Sequence, residues 1–358
     1  MFLAIRELRF AKGRFALMGS VVALITMLVV LLSGLTAGLA SQNVSAIRAL
    51  PASHFAYSSP PAGDAPSFSD SRIDGAQLDA WRQTPGVVWA TPLAISQTRM
   101  STGDREVAVA VFAAPPGSRA APTSLHAGGI VINQELAAKE ALHVGAQVQV
   151  AGSSFTVAGT VGDAWFSHMP VVWVPLAEWS RIPDSGFKPG QVASVLALGL
   201  DSGSALGANE VVSGTVSKSR GGSLSAIGSY EAENGSLSLM RLLLFAISAL
   251  VVGAYFTVWT IQRTHDLAVL KAMGVSSSNL VIDAMAQAFA VLLLGGLVGT
   301  ALATGAGVVA ARTVPLVIDA ATTAIPLAVM VAVGMAGAAL AVRRVTSVDP
   351  LIALGASR

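Results

Sequence analysis

Long runs without charge punctuate this chain, separated by one extended stretch of mixed pattern. Four of the runs are long enough to cross a bilayer, which takes about 20 apolar residues. They lie between Arg14 and Arg48, between Arg241 and Arg263, from Ala284 to Ala311, and from Ala320 to Val342. Each predicts a membrane-spanning helix. Gly295, Gly296, Gly299, Gly334 and Gly337 fall in the last two runs, where small side chains would let helix backbones approach closely. The first run, with its Gly-Leu-Ala before Ser41, could be read as a cleaved signal peptide. Its apolar core far exceeds the roughly 7–15 residues of a secretory segment, so a retained span is expected.

Between the first and second runs the pattern changes. HFAYSSPPAGDAPSFSD, residues 54–70, reads as a Pro/Ser-rich connector. DGAQLDAWRQTPGV predicts a short helix ending at Pro85-Gly86. VVWATPLAI and REVAVAVFA alternate and are β-branched, as strands require. NQELAAKEAL predicts a helix capped by Asn133, and QVQVAGSSFTVAGTV a hairpin with a Gly-containing turn. PVVWVPL and SVLALGL add two more strands. The expected fold is a membrane protein: four transmembrane α-helices with a large extracellular mixed α/β domain between the first and second.

Composition agrees with this reading. Of 358 residues, 53% are hydrophobic and only 12% charged, with a mean hydropathy of +0.66. Soluble domains carry about a quarter charged residues. The 22 Lys+Arg against 20 Asp+Glu leave a net charge of +2, with no footprint for nucleic acid. Cysteine is absent, which excludes disulfides and thiolate metal sites. The five histidines are scattered without metal-ligand spacing, no G-x-S-x-G follows a strand, and there is no G-x-x-x-x-G-K-[ST] phosphate loop. A structural metal and a resident cofactor are not expected, and the chain alone is not expected to be an enzyme.

Basic residues set the orientation. Arg6, Arg9, Lys12 and Arg14 precede the first span, Arg263 and Lys271 separate the second and third, and Arg343, Arg344 and Arg358 follow the fourth. The short connection between the third and fourth holds only Arg312 and Asp319. By the positive-inside rule both termini face the cytoplasm of a multi-pass plasma-membrane protein. The expected organisation is an amphipathic interfacial helix at 1–14, spans at 15–44, 236–262, 281–311 and 320–342, and the extracellular domain at 45–235. A cytoplasmic helix at 263–280, a short outer loop at 312–319 and a cytoplasmic tail at 343–358 complete it.

QRTHDLAVLKAMGVSSSNL, from Gln262 to Leu280, interrupts the apolar pattern. Thr264 can cap a helix whose first turn holds Asp266 and whose last turn holds Lys271, each complementing the helix dipole. Gly274 stands where a left-handed residue ends a helix. Leu267, Leu270 and Met273 recur at helical spacing and form one apolar face. Such a helix suits docking into a groove of a cytoplasmic partner.

RTHDLAVLKAMGVSSSNL resembles the segment between the second and third spans of FtsX/MacB-type ABC transporter permeases. RRVTSVDPLIALGAS is similar to that family's closing segment, and GGIVINQELAAKEALHVGAQVQVAGSSFTVAGTV to its extracellular module. These matches cover nearly the whole chain in the family's order. The resemblance implies a type VII permease, working as a homodimer in the lipid bilayer with a dimeric ABC ATPase on its cytoplasmic face. MFLAIRELRFAKGRFALMGSVVALITMLVVLLSGLTAGLASQNVSAIRAL resembles the start of the haem-efflux (HrtB) branch, which implies haem as the transported substrate. An FtsX-like mechanotransmission subunit and an exporter of lipid, lipoprotein or peptide share the fold and remain alternatives.

A haem site wants apolar walls, a cation for the propionates, and Tyr, His, Met or a carboxylate for the iron. SYEAENGSLSLMR places Tyr230, Glu231, Glu233, Met240 and Arg241 close together at the start of the second span. His168 and Met169, in AWFSHMP, form a second, separate candidate, and Arg48 just past the first span could meet a propionate. Relatives of the haem-efflux branch take their ligand near the outer ends of the first two spans, which favours the Tyr230 group. No histidine is expected at those ends, so an oxygen or Met ligand is the default there.

Overall fold

The computed structural model describes residues 12–61, 64–103, 105–183, 185–201, 210–262, 276–311 and 313–346. The chain divides into two compact units, an α/β domain at Leu39–Asn234 and a membrane unit made of Met1–Gly38 and Gly235–Arg358. Within the described residues, four helices are long and apolar enough to cross a membrane. They are α1 (Lys12–Ala49), α5 (Gly228–Gln262), α6 (Ser277–Ala310) and α7 (Ala320–Thr346). Residues 1–11 of the interfacial helix expected at 1–14, residues 263–275 of the cytoplasmic helix expected at 263–280, and residues 347–358 of the C-terminal tail lie outside the described residues. Residues 277–280 already belong to α6, whose cap is Ser276 accepting from the Asn279 N–H.

In the α/β domain, α1 leads into β1 (His54–Ser58), β2 (Ile73–Asp74), α2 (Gly75–Gln83), β3 (Val87–Thr102) and β4 (Arg105–Ala114). Then come β5 (Gly129–Asn133), α3 (Gln134–Lys139), β6 (Gln147–Val150), β7 (Ser153–Val161), β8 (Trp165–Phe166), β9 (Met169–Pro175) and α4 (Leu176–Trp179). The domain ends with β10 (Gln191–Ala193), β11 (Val195–Leu200), β12 (Val211–Val212), β13 (Thr215–Ser219) and a 3₁₀ turn at Gly222–Ala226. The main sheet runs β12-β13-β1-β11-β3-β4-β9-β5-β7-β6, and β6 also pairs β3, closing part of it into a ring.

The expected helices and strands between residues 75 and 200 are present, including the Asn133 cap, whose Oδ1 accepts from the Leu136 N–H. The connector expected at 54–70 is corrected by the structure: its first five residues are β1, paired with β11 and β13. Phe55, Ala56 and Tyr57 are fully buried there. The Pro/Ser content of the following residues masked a short strand that is apolar on both faces, as interior strands are.

Alternation sorts the strand residues into two cores. Val109, Val111 and Ala113 of β4 join Ile130, Ile132, Val172 and Val174 on one face. Ala110, Phe112 and Ala114 join Val131, Val171 and Trp173 on the other. That second core also takes Val44 and Ile47 from the last turns of α1, Leu50 just after it, and Ile227 just before α5. Phe112 is central, meeting Phe166 and Trp173 edge-on with ring centroids 5.4 and 5.3 Å away.

The membrane unit packs differently. A Cβ at Gly295 would lie 2.9 Å from the Gly19 carbonyl, one at Gly337 2.7 Å from the Ala249 carbonyl, and one at Gly334 2.7 Å from Leu292 Cδ2. Gly296 and Gly299 likewise face Leu327, Ala23 and Thr26 without room for a side chain. The small residues singled out in the sequence are where helices touch. The α6–α7 connection lies against α1 at Gly34 and Gly38, with the Val317 N–H donating to the Gly34 carbonyl at 3.1 Å. Asp319 caps α7 by accepting from the Thr322 N–H, and that bond holds its carboxyl below the usual carboxylate range.

Candidate functional site

Three elements of the α/β domain meet where α1 ends and α5 begins. β8 and β9 form a two-residue hairpin whose turn is Ser167-His168. Both turn residues have left-handed backbones, φ +52° and +64°. The Ser167 and His168 N–H groups donate to the Asn43 and Gln42 carbonyls of α1, each at 3.0 Å. The Trp165 N–H donates to Ser45 Oγ at 2.9 Å. The hairpin tip therefore grips the last turns of α1 through main-chain bonds, and Phe166, the residue before the turn, anchors it in the aromatic core.

Asn43 is the hub. It is 1% exposed, and its side chain bridges α1 to the first turns of α5. Ser229 Oγ donates to Asn43 Oδ1 at 2.7 Å. Asn43 Nδ2 then donates to Glu233 Oε2 at 3.2 Å. Ser229 uses its hydroxyl proton on Asn43, so Ser167 Oγ must be the donor in the 2.9 Å Ser167–Ser229 contact. His168 Nε2 lies 3.0 Å from both carboxylate oxygens of Glu233. An ionised carboxylate only accepts, so Nε2 carries a proton toward Glu233. The 3.0 Å approach of Asn43 Nδ2 to the same Nε2 is then a contact of two donors, both turned to Glu233. About a third of the His168 side chain and two fifths of Glu233 remain exposed, so this is a wet cluster with access to a ligand.

The structure merges two groups that the sequence kept apart. His168 from the hairpin and Glu233 from α5 form one cluster, and the expectation that no histidine reaches the ends of the first two spans is corrected. A hairpin brings His168 there from far along the chain. Tyr230 lies three residues from Glu233, half-buried against the aromatic core. Glu231 is exposed on another side of α5, and Arg48 is exposed in the last turn of α1. Met240 and Arg241 lie further along α5, in the membrane unit, where Met240 is exposed and Arg241 donates to Ser238 Oγ. Met169 is half-buried beside the turn. Thr264, Asp266, Leu267, Leu270, Lys271 and Met273 lie outside the described residues. Asn43, Ser167 and Ser229 were missed; the one signal for Asn43 was its place in the Gln-Asn stretch that carries the family likeness. Among the described residues no group of three or more His, Asp or Glu is placed to hold a metal ion.

Four apolar helices with a large α/β domain inserted after the first define a membrane permease of the ABC type. The chain belongs to the family of the MacB-like periplasmic core domain, which matches residues 15–210, followed by the FtsX-like permease C-terminal domain at residues 238–350. Its relatives include the "Putative hemin transport system permease protein HrtB" of Staphylococcus epidermidis (strain RP62A), 25% identical over 99% of both chains. An uncharacterized ABC transporter permease of Mycobacterium tuberculosis (strain H37Rv) is also 25% identical, again over 99% of both. Among solved structures, the extracellular domain of the noncanonic ABC-type transporter YknZ from Gram-positive bacteria is 11% identical with a TM-score of 0.32, covering 42% of this chain and 83% of its own. The periplasmic region of MacB from Actinobacillus actinomycetemcomitans is 11% identical with the same TM-score, covering 46% and 81%.

Proposed function

We propose that the protein is the permease of an efflux pump that moves haem out of the membrane, driven by ATP hydrolysed on a separate subunit. The observation that carries the reading is the bond of His168 to Glu233, with the half-buried Tyr230 three residues before Glu233 at the start of α5. These side chains supply nitrogen and oxygen donors of the kind that hold ferric iron, beside an apolar aromatic core. The full-length relative named for hemin transport supports the same substrate. Ligation by His168 or Glu233 takes the place of the bond between them, which keeps the grip modest. An exporter needs a modest grip, because a site that binds too tightly releases slowly. Glu231 and Arg48 complete the candidate set in the α/β domain, Arg48 as a partner for a propionate.

The remaining parts of the reading follow from the sequence. Both termini face the cytoplasm, by the distribution of basic residues. The helix expected to follow α5 from residue 263 docks a dimeric ATPase, with Thr264, Asp266 and Lys271 fixing its ends and Leu267, Leu270 and Met273 entering a groove. The permease is a homodimer, and a symmetric pair can supply two ligands to one disc. The test is a haem titration of the purified protein. The reading expects a shifted, sharpened Soret band that weakens by about tenfold in affinity on Glu233→Ala or Tyr230→Ala, roughly the loss of one good ligand contact. A band lost only on His168→Ala makes the imidazole the iron ligand and removes Glu233 and Tyr230 from that role. No perturbation in the wild type replaces haem with a lipid or peptide cargo, or with mechanical signalling to a partner outside the cell.

A further inference from the structure

We propose that the β8–β9 hairpin is a latch, closed in this structure, that has to open for the ATP-driven cycle to proceed. The inference rests on the permease assignment and not on the identity of the cargo.

The chain passes between the two units twice, after Gly38 and after Asn234. Motion handed along the chain from one unit to the other travels through those two crossings. Gln42, Asn43 and Ser45 stand just beyond the first, and Ser229 and Glu233 just before the second. All five are bonded into one network with the hairpin turn. A change in the spacing of α1 and α5 at this level breaks Asn43–Ser229, Asn43–Glu233 or His168–Glu233 first.

The turn itself points to a working part. Three two-residue hairpin turns have both of their residues described and left-handed: Ala151-Gly152, Ser213-Gly214 and Ser167-His168. The first two place glycine at the second position, where it carries no steric cost. The third places His168 there, at φ +64°. A side chain with a Cβ is strained in that region, and such strain persists only where surrounding bonds hold it. The bonds that hold it are the latch: the Ser167 and His168 N–H groups donating to α1 carbonyls and the His168 imidazole donating to Glu233. Releasing them frees the turn to relax, which offsets part of the cost of opening. The His168–Glu233 end of the network is partly exposed, so water can replace that bond as it parts.

Because the chain has no cysteine, Ser167→Cys with Ser229→Cys makes a single new disulfide across the latch, where the native hydroxyls are 2.9 Å apart. The experiment uses the full chain with its ATPase in lipid nanodiscs. The latch predicts near-complete crosslinking without nucleotide, slower crosslinking with a trapped ATP analogue, and at least a tenfold fall in ATP turnover that reductant restores. His168→Gly is the companion variant. It relaxes the turn, so the protein folds at least as well, yet it predicts ATP turnover without cargo raised severalfold. Three results overturn the proposal: no crosslinking without nucleotide, wild-type turnover in the fully crosslinked protein, or a His168→Gly variant that turns over like wild type.

Discussion

Phe112 in the α/β domain touches the rings of Phe166 and Trp173, whereas Gly295 in the membrane unit faces the Gly19 carbonyl with no side chain between them. The two regions solve packing in opposite directions. Water drives the first: large side chains leave it, and each buried aromatic ring contributes in proportion to its area. Lipid tails are as apolar as leucine, so the membrane helices gain little from size. They gain from close approach of backbones, which small residues permit. Their polar side chains follow the same division. In the α/β domain the buried Trp81 and Trp179 indoles donate to Thr215 and Ser96. In the membrane unit, hydroxyls such as Thr36, Thr257 and Thr304 turn back to carbonyls four residues earlier in their own helix, a bond that survives without water.

The sharpest way to break this comparison is to enlarge a residue in the membrane unit. Gly38→Leu puts a Cβ into the Pro315 carbonyl, and backbone cannot yield as a side chain would. The expected outcome is loss of monodisperse protein on size exclusion in detergent. Gly305→Leu, on α6 with open space around its Cβ, should leave the protein intact. Equal behaviour of the two variants would remove close helix contact as the organising force.

The opposite change tests the α/β domain. Phe112→Ala removes a fully buried ring from the centre of the aromatic core, a change that costs about 3–5 kcal/mol in comparable cores. Thermal unfolding followed by tryptophan fluorescence should show a lowered midpoint, while the helices stay in the detergent micelle. A midpoint unchanged within error would mean that the core has no such dependence on side-chain volume.

The sequence foretold these regions unequally, for physical reasons. The spans are legible because a charge-free window of sufficient length has few other uses. The strands from Val87 to Leu200 are legible because alternation and β-branching are local properties. The ends of α1 were less so. The apolar window closes before Ala49, yet the helix continues because Val44, Ile47 and Leu50 bury themselves in the domain core, a partner no window can display. The candidate site was half legible. Tyr230, Glu231 and Glu233 stood out as acidic and aromatic residues beside a span. His168 stood out too, but its bond to Glu233 joins residues far apart in the chain. The turn that delivers it has no glycine to announce it, and the hub Asn43 is one amide inside a long helical run.

The central claim, a permease powered by a separate ATPase that docks on the segment after α5, is tested most directly by co-purification. Wild-type chain and a Leu267→Asp/Leu270→Asp variant would each be expressed with the ATPase and isolated from membranes. Both leucines belong to the expected apolar docking face, and truncating central anchors of an interface typically costs about 2 kcal/mol or more. The account predicts that wild type retains the ATPase with ATP turnover, that the variant reaches the membrane without it, and that neither chain alone hydrolyses ATP. An ATPase held equally by the variant, or ATP turnover by the chain alone, would contradict it.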